Sequence, residues 1–287
     1  MRANPITGDF KVFEAIKERN SVRSYSSRPV EEAFYRELAD YIQSVGYGPF
    51  GTKPRLKMLD LKPLDKKELK KLGTYGFIKG ARLYILGAVK DRPGAMEDLG
   101  YCLENIILKA TSLGLGTCWL GGSFKRAAFA RQMDLQAGEL LPAITPVGYP
   151  ANEASPAERL ARLTIKSRKR KPWSELFFGP DAKAPLDEEE AGPYHDPLEA
   201  VRLSPSASNR QPWRIVKDET DKFHLYLKES KIYNRILGRV RLQNIDMGIA
   251  MCHFAMVARE KDLPGRWEAE PGAPTLLGLQ YIATWSG

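Results

Sequence analysis

Two arginines and a serine alternate along the segment Arg19-Asn20-Ser21-Val22-Arg23. Guanidinium groups bind phosphates and carboxylates through paired N–H donors, and a hydroxyl between them adds a further hydrogen bond to the same anion. The spacing therefore indicates an anion site. A polar helix exit is the equally simple alternative.

A second basic segment, Ser167-Arg168-Lys169-Arg170-Lys171, precedes Pro172. Taken alone, such a run is either a solvated surface or a nucleic-acid patch. Aromatic residues are not interleaved with these cations, which makes nucleic-acid binding the weaker hypothesis. We predict no nucleic-acid partner.

Small and polar side chains crowd the stretch SPSASNRQPW, residues 204–213. Small residues let backbone donors approach a flat polar ligand closely, and the amides of Asn209 and Gln211 could pair with the edge of that ligand. This composition favours a binding loop, although composition alone also fits an ordinary turn.

Two glycine-rich segments differ in what they indicate. Residues 114–122 end in Gly121 and Gly122, which permit either a close approach of backbone N–H groups to a bound ring or a tight turn. Residues 46–51 fit the Gly-x-Gly-x-x-Gly pattern of dinucleotide loops, but they follow a helix and lead into an extended stretch. We interpret residues 46–51 as a turn.

Metal chemistry is not expected from this sequence. His195, His224 and His253 have neither mutual spacing nor cysteine neighbours suited to a metal ion, so each is expected to be structural or exposed. The three cysteines form no Cys-x-x-Cys pair, which fits a reducing compartment.

The composition is that of an ordinary globular protein. The 287 residues are 43% hydrophobic and 28% charged, which excludes disorder and fibrous classes, and the net charge of +9 favours acidic partners such as phosphates. The chain lacks a signal-peptide pattern and a run of ~20 apolar residues that could span a membrane. We predict a cytoplasmic protein with no membrane partner.

The elements that must position these segments follow from hydrophobic periodicity and from the turn residues between them. Helices are predicted at residues 9–19, 30–45, 96–113 and 245–260. Strands or extended stretches are predicted at residues 54–62, 82–89, 140–149, 214–217, 223–228 and 276–285.

An offset of 148 residues aligns the two long helices and pairs Asp98 with Asp246 and Gly100 with Gly248. This alignment favours a duplicated unit. We predict a first repeat at residues 1–178, an exposed linker at 179–197 and a second, shorter repeat at 198–287.

Three of these segments together resemble the FMN-dependent nitroreductase family, and specifically its fused branch, named putative TM nitroreductase. RNSVRSYSSRPV is similar to the family's N-terminal signature, SPSASNRQPW to its Pro-Ser-x-x-Asn-x-Gln-Pro-Trp signature, and GLGTCWLGG followed by PVGYP to its C-terminal core. The resemblance covers most of the chain. It implies an α+β nitroreductase-like fold, with two fused repeats forming a pseudo-dimer in one chain, and therefore a monomer.

The resemblance also implies a site for FMN. Arg19 and Ser21 would lie near its phosphate and ribityl chain, and Arg23 near the pyrimidine edge of its ring. The second repeat would line the ring from the other side. The implied cofactor-binding residues are Arg19, Asn20, Ser21, Arg23, Leu120, Gly121, Gly122, Arg168, Arg170, Pro205, Ser206 and Asn209.

The implied reaction moves electrons from NADH or NADPH through FMN to a nitroaromatic, a quinone or a similar small acceptor. We predict no catalytic side chain, because the flavin carries the chemistry and protons can come from water. One flavin per chain is expected, since the second half lacks its own Arg-x-Ser-x-Arg segment. The alternative is a flavin- or nucleotide-binding protein whose site no longer turns over, because residues 73–78 replace an Asn and a Lys found in many relatives.

Overall fold

A computed structural model describes residues 10–62, 72–153, 169–230 and 238–287. Within these residues lie six α-helices and nine β-strands. The helices are α1 (Val12–Glu18), α2 (Glu32–Ser44), α3 (Ala95–Ser112), α4 (Arg126–Met133), α5 (His195–Leu203) and α6 (Leu242–Glu260). The strands are β1 (Arg55–Asp60), β2 (Leu83–Lys90), β3 (Gly116–Thr117), β4 (Glu139–Gly148), β5 (Phe177–Phe178), β6 (Trp213–Lys217), β7 (Phe223–Leu227), β8 (Arg266–Glu268) and β9 (Gln280–Ser286).

The first sheet has the strand order β1-β2-β4-β3 and is antiparallel throughout. Strand β2 is buried along nearly its whole length, and its register pairs Leu83 with Val147 on β4. A strand that is covered on both faces reads as a continuous apolar run, which is what the sequence of β2 shows. This sheet packs against α3.

The second sheet has the order β5-β6-β7-β9-β8. Strands β6, β7, β9 and β8 pair antiparallel, whereas β5 joins the edge of β6 in parallel. Phe177 and Phe178 of β5 come before the predicted linker, so a strand of the first predicted repeat completes the sheet of the second.

The two long helices α3 and α6 cross in the centre of the molecule, and the crossing is reciprocal. A Cβ atom added to Gly100 would overlap the carbonyl of Ile245 and lie 3.2 Å from the Cα of Gly248. A Cβ atom added to Gly248 would overlap the carbonyl of Glu97 and lie 2.9 Å from its Cα. Ile245 and Glu97 are themselves 148 residues apart, so each helix meets the other with the same surface.

The helices also end alike. Leu115 donates its N–H to the carbonyl of Ala110 at 3.0 Å, and Leu263 donates to Ala258 at 2.8 Å, 148 residues later. The residue before each leucine has a positive φ, 73° at Gly114 and 56° at Asp262. Both helices therefore close with the same left-handed C-terminal motif, and the two-repeat arrangement is confirmed.

The predicted linker, residues 179–197, is exposed over much of its length and is anchored at a few points. Leu186 and Ala191 are buried, and α5 begins at His195, inside the segment. Four prolines and an acidic run resemble a solvated connection, but two apolar side chains anchor the segment to the core. The repeat boundaries 1–178 and 198–287 themselves stay predictions.

The ten predicted elements are all present, with bounds that shift by a few residues. Helix α4 was not predicted because only Phe129 and Met133 of its eight residues are buried, which gives a weak periodic signal. Strands β3, β5 and β8 were not predicted because they have only two or three residues each, which is too few to show an alternating pattern.

We expect Gly100→Ala and Gly248→Ala each to lower the free energy of unfolding by about 1–3 kcal/mol. The added methyl group meets backbone rather than a flexible side chain, and this overpacking outweighs the roughly 1 kcal/mol that alanine gains in helix propensity. Urea unfolding measures the loss. Gly272→Ala is the control, because its nearest neighbour is 3.7 Å away. A Gly248→Ala protein as stable as the Gly272→Ala protein would contradict the close crossing.

Candidate functional site

A cavity of about 240 Å³ lies between the two units. Its walls come from the exit of α1, the loop after β3, the chain before β5, the loop before β6, and α6. The lining residues are Arg19, Ser21, Arg23, Phe77, Trp119, Gly121, Gly122, Ser123, Ala143, Arg170, Pro205, Ser206, Ala207, Ser208, Asn209, Leu242, Ile245, Asp246 and Ile249.

Two buried arginines enter the cavity from the exit of α1. The helix ends at Glu18, and the chain continues in an extended form that pairs with β3, where Val22 donates its N–H to the carbonyl of Thr117 at 2.8 Å. The side chains of Arg19 and Arg23 are each only 5% exposed. Nε and Nη1 of Arg19 and Nε of Arg23 have no hydrogen-bond partner among the described residues.

Glu104 of α3 contacts two residues that line the cavity, Trp119 and Arg19. Its carboxylate is fully buried and accepts a hydrogen bond from Trp119 Nε1 at 2.6 Å. The other oxygen lies 2.9 Å from Nε2 of His253 on α6 and 3.9 Å from Nε of Arg19. Nδ1 of His253 faces the carbonyl of Ala200 at 2.9 Å and must donate to it, because a carbonyl only accepts. Glu104 thus orients two lining side chains and links both units.

Arg170 brings a third cation to the cavity. It donates to the carbonyl of Leu203 at 3.0 Å and to Oδ1 of Asn209 at 3.3 Å. Burial, followed by the positive charge of Arg19, lowers the pKa of Arg170 to about 10. Two cations that repel each other in a partly buried site create a strong preference for an anion between them.

The loop at residues 204–213 has an unusual backbone. Ser208, Asn209 and Gln211 all have positive φ, near 50°, which side-chain-bearing residues rarely adopt. Asn209 Nδ2 donates to the carbonyl of Lys169 at 2.8 Å, and Gln211 Oε1 accepts from the N–H of Lys171 at 2.8 Å. Both amides therefore bind the basic segment and hold Arg170 in place. Asn209 also lines the cavity, and contact of these amides with a ligand edge stays a prediction.

Nine of the twelve predicted site residues line the cavity together. They are Arg19, Ser21, Arg23, Gly121, Gly122, Arg170, Pro205, Ser206 and Asn209.

Two of the other three do not line the cavity. Asn20 is exposed, and its amide donates to the carbonyl of Glu18 at the helix end. Leu120 is buried and pairs with Ile144 of β4, because alternation along an extended chain turns it to the core. Arg168 lies outside the described residues.

The sequence did not point to the wall made by α6. Leu242, Ile245 and Ile249 recur at helical spacing and resemble core positions, yet they face the cavity. Phe77 was also missed, and its ring lies 5.0 Å from the guanidinium of Arg23. Asp246 did carry a signal, since it is a carboxylate inside an otherwise apolar helix.

Asp246 and its counterpart Asp98 are both buried and both anchor a loop. Asp98 accepts from the N–H groups of Phe50 at 2.8 Å and Thr52 at 2.6 Å, and burial raises its pKa to about 6. Asp246 accepts from the N–H of Ala207 at 2.9 Å, and burial raises its pKa to about 8.

The remaining sequence candidates are structural in this fold. His224 is buried between Thr284 and Asp218, and His195 is partly exposed. Among the described residues no group of His, Cys, Asp or Glu is arranged to hold a metal ion. In the same part of the chain, no helix combines the length and apolarity required to cross a bilayer.

Comparison with known proteins finds similarity to nitroreductases. The model of the family described as Putative TM nitroreductase matches residues 11–258. A protein of Methanothermobacter thermautotrophicus named "Putative NADH dehydrogenase/NAD(P)H nitroreductase" is 29% identical over 153 residues, which cover 49% of this chain and 78% of that protein.

One solved structure supports the same fold over nearly the whole chain. The crystal structure of a putative nitroreductase from Thermotoga maritima is similar with a TM-score of 0.60 at 22% identity, and the match covers 97% of this chain and 94% of that one. A nitroreductase family protein from Clostridium difficile has a TM-score of 0.44 at 23% identity, covering 58% of this chain and 96% of its own.

We expect Asp246→Asn to remove a pH dependence of stability. The folded protein keeps a proton on Asp246 up to about pH 8, whereas the unfolded chain loses it near the ordinary value of 3.8. Between these limits the wild-type protein loses stability relative to the variant as pH rises, by at most about 1.4 kcal/mol per pH unit. Urea unfolding at about pH 5 and about pH 8 measures the difference. Parallel curves for the two proteins would show that Asp246 is ionised in the fold.

Proposed function

The chain belongs to the putative TM nitroreductase family, and this membership supports the conclusion that it is an oxidoreductase. We propose that it is an FMN-dependent enzyme. It passes electrons from NADH or NADPH to a small conjugated acceptor such as a nitroaromatic or a quinone. The similarity to the Thermotoga maritima protein over nearly the whole chain supports the same overall fold.

The arginine nitrogens that lack a hydrogen-bond partner carry this proposal. Burying a guanidinium N–H without a hydrogen-bond acceptor is costly, and the carboxylate of Glu104 is 3.9 Å from Arg19, too far to accept one, so Arg19 and Arg23 favour a ligand that supplies the acceptors. FMN supplies what is missing, namely a phosphate dianion and a ring edge rich in hydrogen-bond acceptors. The residues of the cavity therefore fit this cofactor.

Each cation has a distinct role in this proposal. Arg19 and Arg170, whose charges repel one another across the cavity, would hold the phosphate with the hydroxyl of Ser21. Arg23 would place a fixed positive charge at the pyrimidine edge of the ring, where reduction concentrates negative charge. Phe77 limits where the guanidinium of Arg23 can move.

The two units contribute different walls to one cleft. Arg19, Arg23 and Gly121 come from the first unit, whereas Pro205 and the α6 residues come from the second. In the first unit, the loop equivalent to residues 205–209 is closed onto Asp98 and is braced by Arg92, which donates to Thr52 Oγ1 at 2.9 Å. These contacts favour one cofactor per chain and a monomer that forms its own pseudo-dimer.

When bound, FMN supplies the chemistry, because it takes a hydride from a nicotinamide and gives electrons to a second substrate. The chain contributes binding, orientation and charge. Glu104 orients Arg19 and Trp119, and the apolar residues Leu242, Ile245 and Ile249 form a surface for a flat acceptor.

The purified protein is expected to take up FMN, and the bound FMN to lose its visible absorbance when NADPH or NADH is added without oxygen. Titration of each nucleotide names the electron donor. Bound FMN that stays oxidised with both nucleotides would instead support a binding protein with a site that no longer turns over. Failure to bind FMN at all would exclude the proposed cofactor.

Arg19→Gln is expected to weaken FMN binding on the order of 10- to 100-fold, since it removes charged hydrogen bonds to the phosphate. Fluorescence quenching of FMN measures the dissociation constant. Arg36→Gln is the matched control, because this α2 side chain is 74% exposed and pairs with the nearby Glu32 on the surface. Equal affinity in the two variants would mean that the phosphate does not bind at Arg19.

A further inference from the structure

Asp246 lines the cavity, and one of its carboxyl oxygens has no hydrogen-bond partner among the described residues. The residue is only 3% exposed and lies on α6 among the apolar residues Leu242, Ile245 and Ile249. Its Oδ1 accepts from the N–H of Ala207, whereas its buried Oδ2 has no hydrogen-bond partner among the described residues. A buried oxygen in this state is expected to have a partner that is supplied from the cavity.

Comparison with Asp98 shows what is particular to Asp246. The two aspartates occupy equivalent positions 148 residues apart, and both anchor the loop that precedes a strand. Asp98 uses both carboxyl oxygens for this purpose, on the N–H groups of Phe50 and Thr52. Asp246 anchors its loop with one oxygen only. Of the two aspartates, Asp246 lines the cavity, and it is Asp246 that has a carboxyl oxygen without a hydrogen-bond partner among the described residues.

The protonation state of Asp246 follows from its surroundings. Burial raises its pKa to about 8, with the N–H of Ala207 acting in the opposite direction. The charged groups that share the cavity are the cations Arg19, Arg23 and Arg170. On α3, which crosses α6, the acid Glu97 lies against Gly248. Its carboxylate accepts a hydrogen bond from Nδ2 of Asn244 at 2.6 Å. Asp246 is therefore a neutral acid at pH 7 and becomes an anion above about pH 8.

We propose that Asp246 is the proton donor to the acceptor that occupies the cleft. The acceptor class is a quinone or another conjugated carbonyl compound, whose oxygen gains negative charge during reduction and whose flat apolar body fits the α6 wall. This inference rests on the proposed function, and it adds an acidic side chain to a site for which the sequence predicted none.

The step balances for a quinone. A hydride from the bound reductant brings two electrons and one hydrogen to the quinone. The O–H bond at Oδ2 of Asp246 breaks, a new O–H bond forms on a quinone oxygen, and the product is the hydroquinone. Asp246 is left as a carboxylate, and solvent returns its proton before the next turnover.

Asp246→Asn tests the donor in the FMN-loaded protein, with a benzoquinone as the acceptor. We expect kcat/KM for the quinone to fall roughly 100-fold, and its decline above about pH 8 to disappear. Reduction of the flavin by the nicotinamide, measured separately, should stay within about twofold of wild type. Asp98→Asn is the matched control, and we expect it to keep the pH profile of the wild-type protein. A wild-type profile in the Asp246→Asn protein would overturn the proposal.

Infrared spectroscopy provides a second readout on the protein without cofactor. In the wild type, the C=O stretch of a buried carboxylic acid should lose intensity between about pH 7 and pH 9; this change should be missing from Asp246→Asn and remain in Asp98→Asn. Absence of this band from the wild type would overturn the proton donor even if FMN binds and turns over. A band in a protein that never reduces a flavin would overturn the proposed function, and with it the donor role, but not the buried acid.

Discussion

The closeness of two helices at Gly100 and Gly248 determines the rest of the molecule. Each glycine lies against the backbone of the opposite helix, so no side chain separates α3 from α6 at the crossing. Because the helices are this close, Glu104 can reach His253 on the other helix, and Trp119 and Arg19 can gather on the same carboxylate. A constraint on backbone packing thus sets the geometry of a polar site.

Duplication within one chain has allowed the two halves to become different. At the offset of 148 residues, Glu104 is matched by Cys252 and His253 by Asn105, so the buried Glu104–His253 couple has no mirror image. Asn105 instead accepts a hydrogen bond from Tyr41, and Cys252 is an inert buried thiol. In a homodimer every substitution appears on both sides. In this chain one side carries a cluster of arginines that favours an anion, whereas the equivalent loop on the other side is closed onto Asp98.

The sequence predicted the regular elements well because their signals are local. The long helices and the central strands bury continuous apolar stripes, and these fix the type of each element even where its ends shift. The site was predicted in part. The arginines of the α1 exit were found because closely spaced guanidinium groups indicate an anion site, and the glycines after β3 because they permit close approach of the backbone to a ligand. The α6 wall was missed because cavity-facing and core-facing apolar side chains look the same in a sequence. The hydrogen bonds of Asn209 and Gln211 to backbone groups 40 residues away were not predicted, because no pattern of residue types encodes such partners.

The exchange of elements between the halves has a consequence for how the protein forms. Glu260, at the end of α6, accepts hydrogen bonds from the first N–H groups of α1, at Val12 and Phe13, across nearly the whole length of the chain. Strand β5 likewise pairs with β6, which is synthesised later. During synthesis, the first half therefore leaves the ribosome with an uncapped helix and an unpaired strand. Its fold is completed only when the last helix emerges, which makes folding a late event that involves both halves at once.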